Sequence, residues 1–309
     1  MKLKFFLTLS ILIVLISCKN DSSDKLKEEV TKYIKGKVKN SSSYKSLYFS
    51  SVDTTFAEHY QDSFMIKYKP DYKYSIDHVY EIENSDKEKI KMSASFYFDS
   101  TLKIIKSSPE GLNGDYGQLT GNVYWKYNNY VGNKPDAGSD ATLYPLDTLR
   151  KDLKYEATCD VMGNFKFDKV LSGDYLLIVK SKNTTNSPDD HLDRLLIYSS
   201  DLYHLFRYDI YKSNESQIKE YRVLDSLYRT ALMADDNEYG SFSKRYDTYR
   251  KIEKQKMDFA EALVEKLPKD FISKIGLYTG YSKKIDFTNV TINEGKTSNE
   301  IIDFGITYN

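Results

Sequence analysis

Few side chains in this sequence can serve as a base or a nucleophile. Histidine occurs four times, at His59, His78, His191 and His204, and cysteine twice, at Cys18 and Cys159. A nucleophilic triad needs Ser or Cys, a histidine and a carboxylate at one point, and no Gly-x-Ser-x-Gly elbow is present. The P-loop, the dinucleotide glycine fingerprint, the zinc-protease helix and Cys-x-x-Cys are all missing. His78 shares strand parity with Ile76 and Tyr80, which turns it into a core. Asp189, Asp190, His191 and Asp193 are the densest group of oxygen and imidazole ligands. Neighbours at a helix start point in different directions, so they read as cap and dipole partners and not as a metal site. Asp136, Ser139 and Asp140 lack calcium-loop spacing. Cys159, in a strand-like stretch, reads as a small buried hydrophobe. Neither cofactor nor metal is expected, and the chain reads as non-catalytic. Carboxylate pairs distant in sequence stay open. Tyr124, Trp125, Tyr127 and Tyr130 are the candidate ligand contacts, since such rings stack on sugar or peptide and equally fill sheet cores.

Cys18 has a different chemistry. Lys2 and Lys4 precede an apolar run from Phe5 to Ile16. That run is short for a membrane span of about 20 residues and suits a signal segment. It ends in Leu15-Ile16-Ser17-Cys18, which resembles a bacterial lipobox. The resemblance implies a signal peptide over 1–17, cleavage between Ser17 and Cys18, and a diacylglyceryl group on the Cys18 thiol. Two or three acyl chains of the palmitate type hold a protein stably on a membrane, whereas one binds marginally. Residues 18–23 then form a polar tether. The stretch Lys19-Asn20-Asp21-Ser22-Ser23-Asp24 resembles the export signals of Bacteroidota-type lipoproteins. That implies a lipid-anchored place on the outer membrane, facing periplasm or surface. With Cys18 acylated, Cys159 has no intrachain disulfide partner.

The elements that must position these groups follow from periodicity. At 309 residues, a prior of roughly 150 per domain suggests two domains. Lysine plus arginine equal aspartate plus glutamate at 45 each, which argues against a nucleic-acid partner. Residues 24–106 read as a small α+β domain whose element order, with the stretch Tyr74-Ser75-Ile76-Asp77-His78-Val79-Tyr80, resembles a cystatin-like roll or a nuclear-transport-factor-like module. Leu26, Val30, Tyr33, Ile34 and Val38 recur at helical spacing, and alternating stretches follow at 45–52, 63–68, 74–83 and 89–99. The helix is the cover for the sheet. Residues 107–116, with Pro109, Gly111 and Gly114, read as a linker.

Residues 117–309 form the second domain. Four stretches have a recognisable pattern: Gly121 to Val123, Pro135 to Gly138, Asp160 to Phe165, and Val170 to Tyr175 before an apolar strand. They resemble a carboxypeptidase-regulatory-like, transthyretin-like β-sandwich. A helical insertion at about 189–268 interrupts it. One helix runs from Asp189 to Tyr208, and a hairpin follows over 214–234 and 241–267, stopped by Pro268. Glu253-Lys254-Gln255-Lys256 is polar all round, which predicts a stretch in solvent. Residues 284–293 and 299–308 alternate again and return to the sandwich. The resulting expectation is a lipid-anchored envelope protein with a non-catalytic binding or scaffolding role. Its partners are the membrane, through Cys18, and an envelope protein or glycan. An envelope hydrolase, an accessory subunit of glycan or peptide uptake, and a surface immunity-type inhibitor are the alternatives.

Overall fold

The computed structural model describes residues 21–54, 72–127, 130–150, 153–233, 242–275 and 282–306. Ser17, Cys18, His59 and the expected strand at 63–68 lie outside the described residues. The chain is α+β and divides into two compact units. Of the described residues, the first takes in those up to Gly117, with Leu171–Gly173 and Thr291–Lys296, and the second takes in the remainder.

In the first unit, helix α1 (Asp21–Lys37) lies on an antiparallel sheet. The sheet order is β1 (Lys45–Phe49), β2 (Tyr74–Glu83), β3 (Lys89–Phe98), β4 (Ile104–Ser108). Leu26, Val30 and Ile34, one helical turn apart, make a stripe without exposure to solvent, and Val38 extends it. Opposite them, Ile76, His78, Tyr80 and Ile82 of β2 and Met92, Ala94, Phe96 and Phe98 of β3 are buried at every second position. The stretch read as a linker is packed instead. Leu112 is in this core, the Tyr80 hydroxyl donates to its carbonyl, and Asp115 accepts from Lys39 and from Ser85. Proline and glycine there mark turns, and a turn need not be free of the core.

The second unit holds two sheets. One has the order β11 (Ser282–Ile292), β10 (Gly173–Asn186), β7 (Asp140–Pro145), β8 (Tyr155–Thr158). In the other, β5 (Tyr116–Lys126) pairs with β12 (Thr297–Ile306), β6 (Asn133–Pro135) and β9 (Asn164–Leu171). The two C-terminal strands therefore enter different sheets, β12 parallel to β5. Gly163 shows why a glycine stands in the turn just before β9. Its φ is 78°, and a Cβ would sit 2.3 Å from the Val123 carbonyl oxygen.

Helices cover one face of β10 and β11. They are α2 (Pro188–Ile197), α3 (Ser199–Phe206), α4 (Ile210–Ser213), α5 (Glu215–Met233), α6 (Phe242–Glu265) and α7 (Lys269–Ile275). Leu176, Ile178, Ile285 and Phe287 from the strands share a core with Leu192, Leu196, Tyr221, Leu263 and Phe271 from the helices. Tyr175, Leu177 and Val179 point to the opposite face and are equally buried, so β10 is covered on both sides. The first expected helix breaks at Tyr198 into α2 and α3. Pro268 ends the hairpin and also starts α7, its carbonyl accepting from Ile272 N–H at 3.0 Å.

Candidate functional site

The alternation of β5 decides which of the candidate aromatics act together. Leu119, Gly121 and Val123 face inward, and Trp125 continues their parity at the strand end, where it is half-buried. Tyr127 follows with 44% exposure. The two rings meet edge to face, centroids 6.0 Å apart. From β6, the exposed Lys134 pairs opposite Trp125 and sets its ammonium 5.7 Å from the Trp125 ring and 4.6 Å from the Tyr127 ring. No ion pair to Lys134 forms among the described residues. The Trp125 indole N–H is buried and has no acceptor among the described residues. Tyr124 has the other parity and belongs to the opposite face, and Tyr130, 99% exposed, stands in the loop between β5 and β6. The structure thus joins Trp125 and Tyr127, separates Tyr124, and adds Lys134, a residue that β5–β6 pairing supplies and that local sequence does not single out.

This arrangement can hold a ring against an aromatic wall while an ammonium donates to it. A buried donor without an acceptor disfavours the fold by about 1–3 kcal/mol.

The acidic group at the start of α2 turns to a lysine. Lys256 of α6 is 6% exposed, and its ammonium lies 2.8 Å from Asp225 of α5, 3.3 Å from Asp189 and 3.8 Å from Asp193. It also sits over the rings of Tyr221 and Tyr228, and the Tyr221 hydroxyl donates to Asp193 at 3.0 Å. Burial would lower the lysine. The hydrogen bond to Asp225 and the three negative charges outweigh it and raise Lys256 above its ordinary value. The stretch expected in solvent therefore contributes the ion at the centre of the helical layer. Its partners come from α2 and α5, distant in sequence, which a local hydropathy pattern cannot register.

The other candidates resolve into structural roles. His78 has no exposure. Its Nδ1–H donates to the Tyr48 carbonyl at 2.7 Å, and its Nε2 accepts from the Tyr44 hydroxyl at 2.8 Å. Burial, partly offset by the bond to Tyr48, brings its pKa down to about 4. Asp136, fully buried, accepts from Ser181 and Asn183 of β10, while Ser139 Oγ accepts from Lys182 N–H and Asp140 from Thr158. These three oxygen-bearing residues face separate partners. Cys159 is buried and its thiol is pushed up to about 12, by burial first and then by the charges of Asp136, Asp160 and Asp140. Among the described residues no group of three or more His, Cys, Asp or Glu side chains is placed to hold a metal ion, and no helix is long and apolar enough to cross a membrane.

Two cavities of the second unit are lined by charged side chains. The smaller, about 240 Å³, is lined by Asp190, Asp193, Arg194, Lys284, Asp286 and Asp303 among others. Burial raises Asp193 and Asp286 there, and Arg194 pairs with Asp286 at 3.2 Å. The larger, about 640 Å³, lies between α7 and the face of β7, β8 and β10. Its residues come from four elements separated in sequence, and only the fold brings them together.

No protein-family model matches the chain, and no curated protein matches it. A solved structure from Pseudomonas aeruginosa, described as a "putative carbohydrate binding protein", is similar over 63% of this chain and 92% of its own, with 11% sequence identity and a TM-score of 0.26.

Proposed function

We propose that this chain is a cell-envelope lipoprotein, held on the outer membrane by acyl chains on Cys18, and that it binds a partner or ligand without catalysis. The single observation behind the binding role is the half-buried Trp125 ring meeting the exposed Tyr127 and Lys134, an aromatic and cationic surface at the strand end. The fold of the second unit is read as a transthyretin-like sandwich with an inserted helical layer. Support comes from its two sheets, from β10 buried on both faces, and from the turn at 160–163, where Asp160 accepts from Met162 and Asn164 N–H at 2.8 Å each. A second reading, an envelope hydrolase, has one observation in its favour, the raised carboxyls of Asp193 and Asp286 in the smaller cavity.

Trp125 is the chain's one tryptophan, so indole emission reports that residue alone. The expected result is a saturable shift of that emission on titration with soluble peptidoglycan fragments or with oligomers of envelope polysaccharide. Trp125→Phe removes the unpaired N–H and narrows the stacking surface to one six-membered ring. It should weaken binding at this surface, measured by calorimetry, and change stability by less than about 1 kcal/mol, since the lost area and the relieved donor offset one another. Unchanged emission with every one of these ligands, or full binding by Trp125→Phe, would dismiss this surface as the binding site.

A further inference from the structure

The helical layer stops short of one edge of its sheet. Pairing sets three rows on the covered face: Lys180, Asp140 and Thr158; Ile178, Thr142 and Glu156; Leu176 and Tyr144, with Lys154 beyond. The β10 members Ile178 and Leu176 are in the core beneath the helices, whereas Glu156 and Thr158 on β8 are exposed. Between them and α7 lies the groove of about 640 Å³. That size falls within the range of about 300–1,000 Å³ usual for small-ligand sites.

The chemistry of the lining narrows what fits. Lys154, Lys180 and Lys274 bring positive charge, Asp140 and Glu156 negative, and Thr142, Thr158 and Ser273 hydroxyls. Lys154 and Glu156 lie 2.8 Å apart, and Thr158 donates to Asp140 at 3.3 Å. A lipid or an apolar peptide would strip water from five charges and return no hydrogen bonds. A polyanion would meet Asp140 and Glu156, and a polycation would meet three lysines. A neutral molecule rich in hydroxyls can accept from the ammoniums and donate to the carboxylates at the same time. Tyr144 adds a ring fixed edge to face against Phe206 at 5.5 Å, its hydroxyl donating to the Lys274 carbonyl at 3.4 Å. A sugar ring uses such a wall.

We infer that this groove is a binding site for a short neutral oligosaccharide. The site is formed by β7, β8, β10 and α7 and is independent of the Trp125 surface. The test uses the full-length lipoprotein in detergent. The probes are a panel of fluorescently labelled neutral oligosaccharides of hexose and N-acetylhexosamine, with tripeptides as a second panel, read by anisotropy. At least one oligosaccharide should bind, with an affinity that raised salt leaves unchanged. Thr142→Arg should block the groove and abolish that binding. Glu156→Ala, at an exposed position, should weaken it about tenfold or more, the loss expected for one hydrogen bond to a charged group. Lys219→Ala, at an exposed position on α5 outside both surfaces, should leave it intact. The inference is overturned if no oligosaccharide binds, if Thr142→Arg binds as the wild type does, or if only tripeptides bind. Binding lost in Trp125→Phe but kept in Thr142→Arg would also overturn it, while leaving the proposed role of the Trp125 surface in place.

Discussion

Lys256→Met should destabilise the second unit by about 3–5 kcal/mol, the usual result of leaving buried charges without their partner. Three carboxylates on two helices converge on this ammonium, and the side chains of Lys256 and Asp225 are only 8% and 9% exposed. Arg229 still pairs with Asp225 from the solvent side at 2.8 Å, so the uncompensated charge is mainly that of Asp189 and Asp193. For a unit of this size the loss corresponds to a fall in Tm of roughly 10 °C. Trp125 emission and the larger part of the helical circular dichroism report this unit and should move together, α1 of the first unit supplying the remainder. A companion set separates charge from packing. Adding Asp189→Asn and Asp193→Asn to Lys256→Met should restore much of the lost stability, because neutral amides no longer need a cation. If the triple variant is no more stable than Lys256→Met alone, the lysine acts by filling space and the electrostatic reading is wrong.

Acid should weaken the first unit through His78. In the folded protein His78 stays neutral down to about pH 4, against an ordinary value of 6.5. Between those two values the unfolded chain binds the extra proton, so stability falls as pH falls. The contribution of the neutral ring is full above pH 6.5, declines below it, and is gone below about pH 4. It amounts to about 3 kcal/mol at 1.36 kcal/mol per unit. His78→Gln keeps a donor for the Tyr48 carbonyl and an acceptor for the Tyr44 hydroxyl without titrating. Urea unfolding followed by exchange of the β2 and β3 amides should show the wild type losing stability from pH 7 to pH 4 faster than His78→Gln. Parallel pH profiles for the two proteins would refute the linkage.

The elements of the first unit were legible because one face of each is covered. Helical spacing of Leu26, Val30 and Ile34, and period two along β2 and β3, are direct images of that burial. The parity of β5 also held a usable signal, since alternation alone separates Tyr124 from Trp125. What stayed hidden depends on residues distant in sequence. Lys256 looks like any solvated lysine until α2 and α5 bring carboxylates to it. The segment 107–116 has the composition of a linker, yet Leu112 and Asp115 find partners on α1, β2 and nearby turns. The groove has no sequence signature, because β7, β8, β10 and α7 contribute to it from positions between 140 and 275.

The proposal as a whole depends on the anchor, since the lipid on Cys18 is what would bring these binding surfaces to the cell envelope. Cells producing the full chain are grown with an alkyne-bearing palmitate analogue, and the purified protein is read for label by click chemistry. Wild type should be labelled and recovered with outer membranes, and Cys18→Ala should carry no label and leave the membrane fraction. An unlabelled wild-type protein, or a Cys18→Ala protein that still takes up the analogue, would overturn it.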